Sequence, residues 1–460
     1  MARRGPVIDD SKPVWRTMFV FLIPLMLSNI LQSASGTFTS IYLGRMIGVG
    51  ALAAASSIFP MLFFLISFFI GISSASTVLI GQAFGARDQE RMHRAAGTTL
   101  AFAVALGIVI GIVGAIFDRG ILALIGTPAA IFDDAAAYAR IVFITLPIFF
   151  VYLGYTTFLR GVGDSRTPFV VLLITTVIGI VMTPLLIHGV AGIPPLGVIA
   201  APISNITATA LGLIGMLVWL ERRDNPLALG KLLPFLRIDV PVLTTLIKIG
   251  LPTGIQFVMI SLAEIAVIAF VNRFGYHATA AYGAVNQIVS YVQFPAISIG
   301  ISASIFGAQS IGAGRPDRLH RILRAGVALN YIIGGVLIGI CYVFGREILS
   351  LFIVDRPTLE VAFELLQITL WSYVIFGNTS VLSGLMRSSG TVLWPTLISV
   401  VSIWGVEVPV AWYLSSGPTG LRGVWIAYPI AFVAALAMQT TYYYGFWKRR
   451  PIKALEISAS

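Results

Sequence analysis

Apolar residues run in long stretches along this chain, and short polar segments between them carry nearly all of the charge. Runs with little or no charge cover 17–44, 95–117, 141–159, 325–345, 361–386 and 423–447, and longer runs must hold two elements each. About 20 apolar residues in a helix cross a hydrocarbon layer of ~30 Å. The pattern therefore predicts an all-α integral membrane protein with twelve spans. They are expected near 15–37, 50–80, 95–117, 133–159, 168–188, a sixth ending near 220, 241–272, 279–307, 325–345, 358–386, 391–414 and 423–446. Glycine and proline mark the turns after the fourth span, at Gly161, Gly163 and Pro168, and in GIPPLG at 192–197. The one abrupt shift to polar composition is ERRDNPLALGKLLPFLRID, 221–239. It divides the chain into an N-terminal six-helix bundle (1–220), a linker (221–240) and a C-terminal bundle with a basic tail (241–460).

The two halves repeat each other. GQAFGARDQERMHR (Gly81 to Arg94) returns as AQSIGAGRPDRLHR (Ala308 to Arg321), laying Gln82 on Gln309, Gly85 on Gly312 and Arg91 on Arg318, 227 residues apart. The same offset pairs Gly48 with Gly275, Arg160 with Arg387, Gly163 with Gly390 and Pro168 with Pro395. A register kept over so long a stretch marks an internal duplication. Six spans per half is an even number, so each half begins on the same side and the repeats are parallel, related by an axis along the membrane normal. Two such bundles leave a cleft near the midplane, and rocking one against the other opens it to alternate sides.

Composition changes the picture little. At 57% hydrophobic and 11% charged the chain is far from soluble composition. A net charge of +11 would suggest nucleic acid in a soluble protein, but here the basic residues fall between spans and set orientation. Arg3 to Arg16, Arg87 to Arg94, Arg160, Arg166, the linker through Lys248, Arg315 to Arg324, Arg387 and Lys448 to Lys453 all lie on the N-terminal side. The opposite side receives Arg45, Arg119, Arg140, Arg273, Arg346, Arg356 and Arg422. That bias places both termini in the cytoplasm of a cell whose inner membrane the chain spans, with the first apolar run retained as a span. One cysteine, Cys341, excludes a disulfide or thiolate framework. With four scattered histidines and no phosphate-binding loop or activated nucleophile, the chain reads as no enzyme and needs no cofactor.

The paired GQxxGA and AQxxGA motifs, LRGVGDSRTP after the fourth span, PLLIHG…GVIAAPIS through spans five and six, and AAYGAVNQI opening span eight follow one another in a known order. From about residue 15 to 445 the chain resembles the multidrug and toxic compound extrusion (MATE) transporters. The resemblance implies two six-helix bundles in a V. It also implies export of lipophilic, often cationic, drugs or metabolites against entry of Na⁺ or H⁺, from a monomer surrounded by lipid and without nucleic acid. A related alternative is export of an amphipathic or lipid-linked metabolite. Two departures stand out. Thr39 occupies the place of an Asp found in many members, and Thr183, before Pro184, replaces another.

Coupling requires a group that binds a cation in one state and releases it in another. A carboxylate in a bilayer costs at least ~2.5–3.5 kcal/mol, so its presence there points to use. Two lie deep within spans, away from their ends, both in the second half. Glu264 in QFVMISLAEIAVIAF has Gln256 two turns earlier and Ser261 one turn away on the same face, and is the candidate proton or Na⁺ site. The family's Na⁺-linked members place a Glu about one turn earlier, where Ile260 stands. Glu407 lies two residues before Pro409, which frees a backbone carbonyl. Asn286, Gln287 and Asn378 complete a polar set in the second half, and Asn29, Gln32, Thr39 and Asn205 are its counterparts in the first. Arg91, Arg94 and Arg160, with their repeats, are expected to cap helix carbonyls and reach lipid phosphate at the membrane edge.

Overall fold

The computed structural model describes residues 13–189, 192 and 194–455. The polar segment through Lys12 and the end of the basic tail lie outside them. Among the described residues twelve helices are long and apolar enough to cross a membrane. They are α1 (Val14–Ile47), α2 (Val49–Ala86), α3 (Gln89–Leu124), α4 (Ala129–Gly161), α5 (Arg166–His188) and α6 (Gly197–Arg222) in the first half. The second half holds α7 (Val240–Asn272), α8 (Tyr276–Gly312), α9 (Pro316–Val343), α10 (Arg356–Ser388), α11 (Leu393–Ser415) and α12 (Leu421–Trp447). The protein is a multi-pass, all-α membrane protein, as the apolar pattern requires. An even number of spans brings both described chain ends to one face, called here the tail face.

Several helices outrun the apolar runs that announced them. IFDRG was expected to close the third span, yet α3 continues through it to Leu124. The reason is neutralisation: buried Asp118 accepts from Arg140 Nε at 2.8 Å, and Arg119 pairs with Asp133 at 2.7 Å. Side-chain caps start others, with Asp88, Asp239 and Asp355 each accepting a backbone N–H of the first turn. Prolines sit inside α1, α2, α4, α5, α7, α8 and α12, each removing one intrahelical hydrogen bond. In α11 the helix widens to a π segment, Val401–Glu407, directly before Pro409. Such bulges commonly mark functional positions.

Large apolar side chains such as Val109, Ile116, Ile174, Ile265 and Val343 point outward, as a lipid-facing surface requires. Among the described residues five apolar clusters hold the interior together, the smallest joining Leu186, Ile187 and Ala200 between α5 and α6. One joins α2, α3, α4 and α6 away from the tail face, and a second fills the same bundle at the tail face, adding the start of α7 and the linker. A third fills the second bundle, and the fourth seats the first half of α1 (Met18, Phe21, Leu22, Leu25) against α8, α9 and α10. The linker is not loose chain. It forms a short helix at Leu229–Leu232 and buries Leu227, Ala228 and Leu232. Arg94, expected to cap helix carbonyls and reach lipid, pairs with linker residue Asp239 at 2.6 Å, a partner supplied by the folded linker. His93 donates to the Pro226 carbonyl at 2.7 Å.

The bundles touch at the tail face through glycines. A Cβ at Gly71 would meet the Gly250 carbonyl, one at Gly85 the Gln309 carbonyl, and one at Gly312 the Gln82 carbonyl. The last two contacts are each other's image under the 227-residue repeat. Reciprocal amides reinforce them: Gln82 Nε2 donates to the Ser388 carbonyl at 2.8 Å, and Gln309 Nε2 to the Gly161 carbonyl at 2.9 Å. These contacts hold the tail face closed.

Candidate functional site

Away from the tail face lies a cavity of about 760 Å³ lined by Thr37 of α1, by Tyr276, His277, Ala280, Gly283, Ala284, Gln287 and Tyr291 of α8, and by the α9–α10 connection. Among the described residues no Arg or Lys lines it. At its rim His277 Nδ1 lies 3.1 Å from Asp355 Oδ2 and 2.5 Å from Thr358 Oγ1.

Behind α8, the second bundle gathers the polar groups of the bilayer interior. Glu264 of α7 and Glu407 of α11 are electrostatic neighbours of each other and of Tyr282 and Tyr373, and Glu407 also of Tyr428. Glu407 is buried at the end of the π segment, while Glu264 is exposed. Neither carboxyl has a basic partner among the described residues. The Tyr282 and Tyr428 hydroxyls lie 2.8 Å apart, linking α8 to α12. Tyr282 also lies near the Asn286 side chain and stacks on Trp425 at 6.0 Å. Phe432 meets Tyr373 at 5.2 Å and Phe376 at 5.4 Å, closing an aromatic wall. Trp404 Nε1 donates to the Met259 carbonyl at 3.1 Å and ties the π segment to α7.

Of the residues singled out in sequence, Glu264, Glu407 and Asn286 come together here, and Gln287 faces the outer cavity. Gln256 lies nearer the tail face, its Oε1 accepting from Thr396 Oγ1 at 3.4 Å. Asn378 turns to α9, where Asn330 Nδ2 donates to it at 3.0 Å and it donates to Tyr331 at 3.1 Å. In the first half, Asn29 Nδ2 donates across the seam to Ser298 Oγ at 3.0 Å. Gln32 is exposed, Thr39 bonds to its own helix at the Ser35 carbonyl, and Asn205 lies beside Gly179 of α5. Thr183 donates to Ser204 at 2.9 Å.

Sequence reading missed the three tyrosines, since an aromatic in a span is ordinarily packing. The repeat could have found them. At the same offset Glu264, Tyr282, Tyr373 and Tyr428 correspond to Thr37, Ala55, Leu146 and Ala201. Polar groups that appear in one copy and vanish from the other are not required by the shared fold.

The MatE family model matches the chain twice, over residues 24–185 and 252–413, once in each bundle. The chain belongs to the MatE family. Among curated relatives of this MatE protein, the probable multidrug resistance protein YoeA of Bacillus subtilis is 50% identical over 448 residues, covering 97% of each chain. The probable multidrug resistance protein NorM of Thermotoga maritima is 23% identical, over 97% of this chain and 96% of its own. Solved structures share the fold. A variant of the Vibrio cholerae MATE transporter VcmN superposes with a TM-score of 0.87 at 18% identity, covering 95% and 98% of the two chains. An outward-facing multidrug resistance MATE family transporter gives 0.86 at 19%, covering 94% and 97%.

Proposed function

We propose that this MatE protein exports amphipathic, preferentially cationic organic compounds in exchange for H⁺ or Na⁺, with Glu264 and Glu407 as the coupling pair. The observation that carries the reading is two neighbouring carboxyls within spans, with no basic side chain among the described residues to balance them. Two bare carboxylates so placed repel each other and lack solvation, so a bound cation stabilises the pair. The same cation must leave when the site is exposed to the other side, and that release is the coupling step. Tyr282, Tyr428 and Asn286 supply oxygen atoms that could complete a cation's shell. Glu264 is exposed and Glu407 buried, so in this reading Glu264 makes the first contact with an entering ion.

The walls around this pair are aromatic, and among the described residues the outer cavity bears no Arg or Lys. Aromatic faces attract organic cations, and the absence of fixed positive charge disfavours a phosphorylated lipid. The names of the curated relatives, probable multidrug resistance proteins, agree with this choice. In this reading the tail face is cytoplasmic, the membrane is the inner one, the chain works as a monomer, and the closed seam makes this the outward-open state. The bundles 1–220 and 241–460 rock about the linker.

Dye efflux from everted vesicles, with Na⁺ and pH gradients imposed separately, tests the assignment. Glu264→Gln should lower the rate at least about tenfold, the loss of one ~1.4 kcal/mol interaction or more, under whichever gradient drives the parent. Parent-like pumping by Glu264→Gln under both gradients makes the residue structural and overturns the reading.

A further inference from the structure

The two halves of the tail-face clasp match bond for bond, with one exception. Gln82 and Gln309 each donate across the seam, but their carbonyl oxygens fare differently. Gln309 Oε1 is buried with no hydrogen-bond partner among the described residues. Gln82 Oε1 accepts the backbone N–H of Leu455 at 2.9 Å. The Arg91 guanidinium donates to the Leu455 carbonyl. The Leu455 side chain packs with the first bundle's cluster at this face and lies over Gly390, where a Cβ would strike it. Gly390 has φ +81 and belongs to the second bundle's α10–α11 turn. Ile452 and Ala454 meanwhile rest on the cluster of α1, α8, α9 and α10. One residue near the chain's end thus has its N–H and carbonyl held by the first bundle while its anchoring segment stays on the second.

We propose that the seam between Gln82, Arg91 and Gly390 is a peptide-docking slot, that its occupant is the chain's own segment 452–455, and that docking latches the tail face shut. The proposal rests on the alternating-access reading above. Opening the tail face separates Gln82 from Gly390, so Leu455 cannot keep both. Its contacts therefore stabilise the closed face alone. The buried, unpartnered Gln309 oxygen shows what the seam costs without such an occupant, because a buried acceptor that loses water and gains nothing destabilises the state that buries it. The tail removes that cost at one of the two equivalent sites.

The test measures distance rather than transport. Spin labels at Gln89→Cys and Pro316→Cys, both exposed and equivalent under the repeat, with Cys341→Ser, report the width of the tail face by pulsed electron resonance. The full-length parent should show mainly the short distance. A chain ending at Arg450, and separately full-length Leu455→Asp, should raise the ratio of long to short about fivefold, as expected for one net hydrogen bond. A synthetic peptide of residues 449–460 should restore the short distance in the shortened chain. Unchanged distributions in both variants overturn the latch. Dye transport measured on the same samples separates the two ideas: a shift in distance in a protein that moves no dye upholds the latch and sinks the transport reading.

Discussion

Tyr282 and Tyr428 bury two hydroxyls against each other at 2.8 Å, and the pair behaves differently from either member alone. Tyr282→Phe strands the Tyr428 hydroxyl and should destabilise the protein by about 1–3 kcal/mol. Replacing both tyrosines removes donor and acceptor together, so the double variant should lose less than the sum of the two singles. Thermal unfolding of the four proteins in detergent measures the coupling. Additive losses would show that the hydroxyls do not bond. At the cavity rim, Asp355 accepts from the Thr358 hydroxyl at 2.6 Å and its N–H at 3.1 Å. Those bonds, with lesser help from His277, hold its carboxyl below the usual carboxylate range. A lowered folded-state value stabilises the protein above the unfolded value, near pH 3.9, and the gain fades as pH falls through the lowered one. Asp355→Asn should therefore lower the melting temperature at pH 7, and the gap to the parent should narrow as the pH drops below about 4.

Helices α2 and α8 meet at Gly85 and Gly312 with no room for a methyl group. Gly85→Ala or Gly312→Ala should force the tail-face ends apart and widen the spin-label distance across that face, since backbone carbonyls cannot rotate out of the way. An unchanged distance would mean the helices slide to accommodate the methyl. These helices were largely legible in sequence: span number, the repeat and the importance of the paired Gln motifs all follow from apolar runs and a constant offset. Their ends were less so. Asp118 and Arg119 looked like a stop, but ion pairs to Arg140 and Asp133, on another helix, let α3 continue. The π segment of α11 was visible only as a proline two residues beyond a glutamate. Leu455 gave no signal at all, because its role depends on a partner more than three hundred residues away.

The whole molecule is a duplication whose copies have diverged in chemistry while keeping a common frame. The two carboxylates were found in sequence because charge inside a span is conspicuous. The tyrosines around them were not, because only their arrangement makes them polar ligands. That arrangement is absent from the first bundle, where Ala55, Leu146 and Ala201 stand at the equivalent places. Moving the carboxyl alone should consequently fail: Thr37→Glu should not restore dye efflux to Glu264→Gln. Recovery above about half the parent rate would show that a lone acid suffices and that the second bundle's surroundings are incidental.

The crossed amides of Gln82 and Gln309 carry a kinetic corollary. Each spans the interface in the opposite sense, so no small tilt can relax one while preserving the other. Both must rupture in the same event, and an intermediate with one intact is strained. Single-molecule fluorescence across the tail face should then record abrupt jumps between two dwell levels, never a gradual drift, with waiting times that shorten when either glutamine becomes alanine.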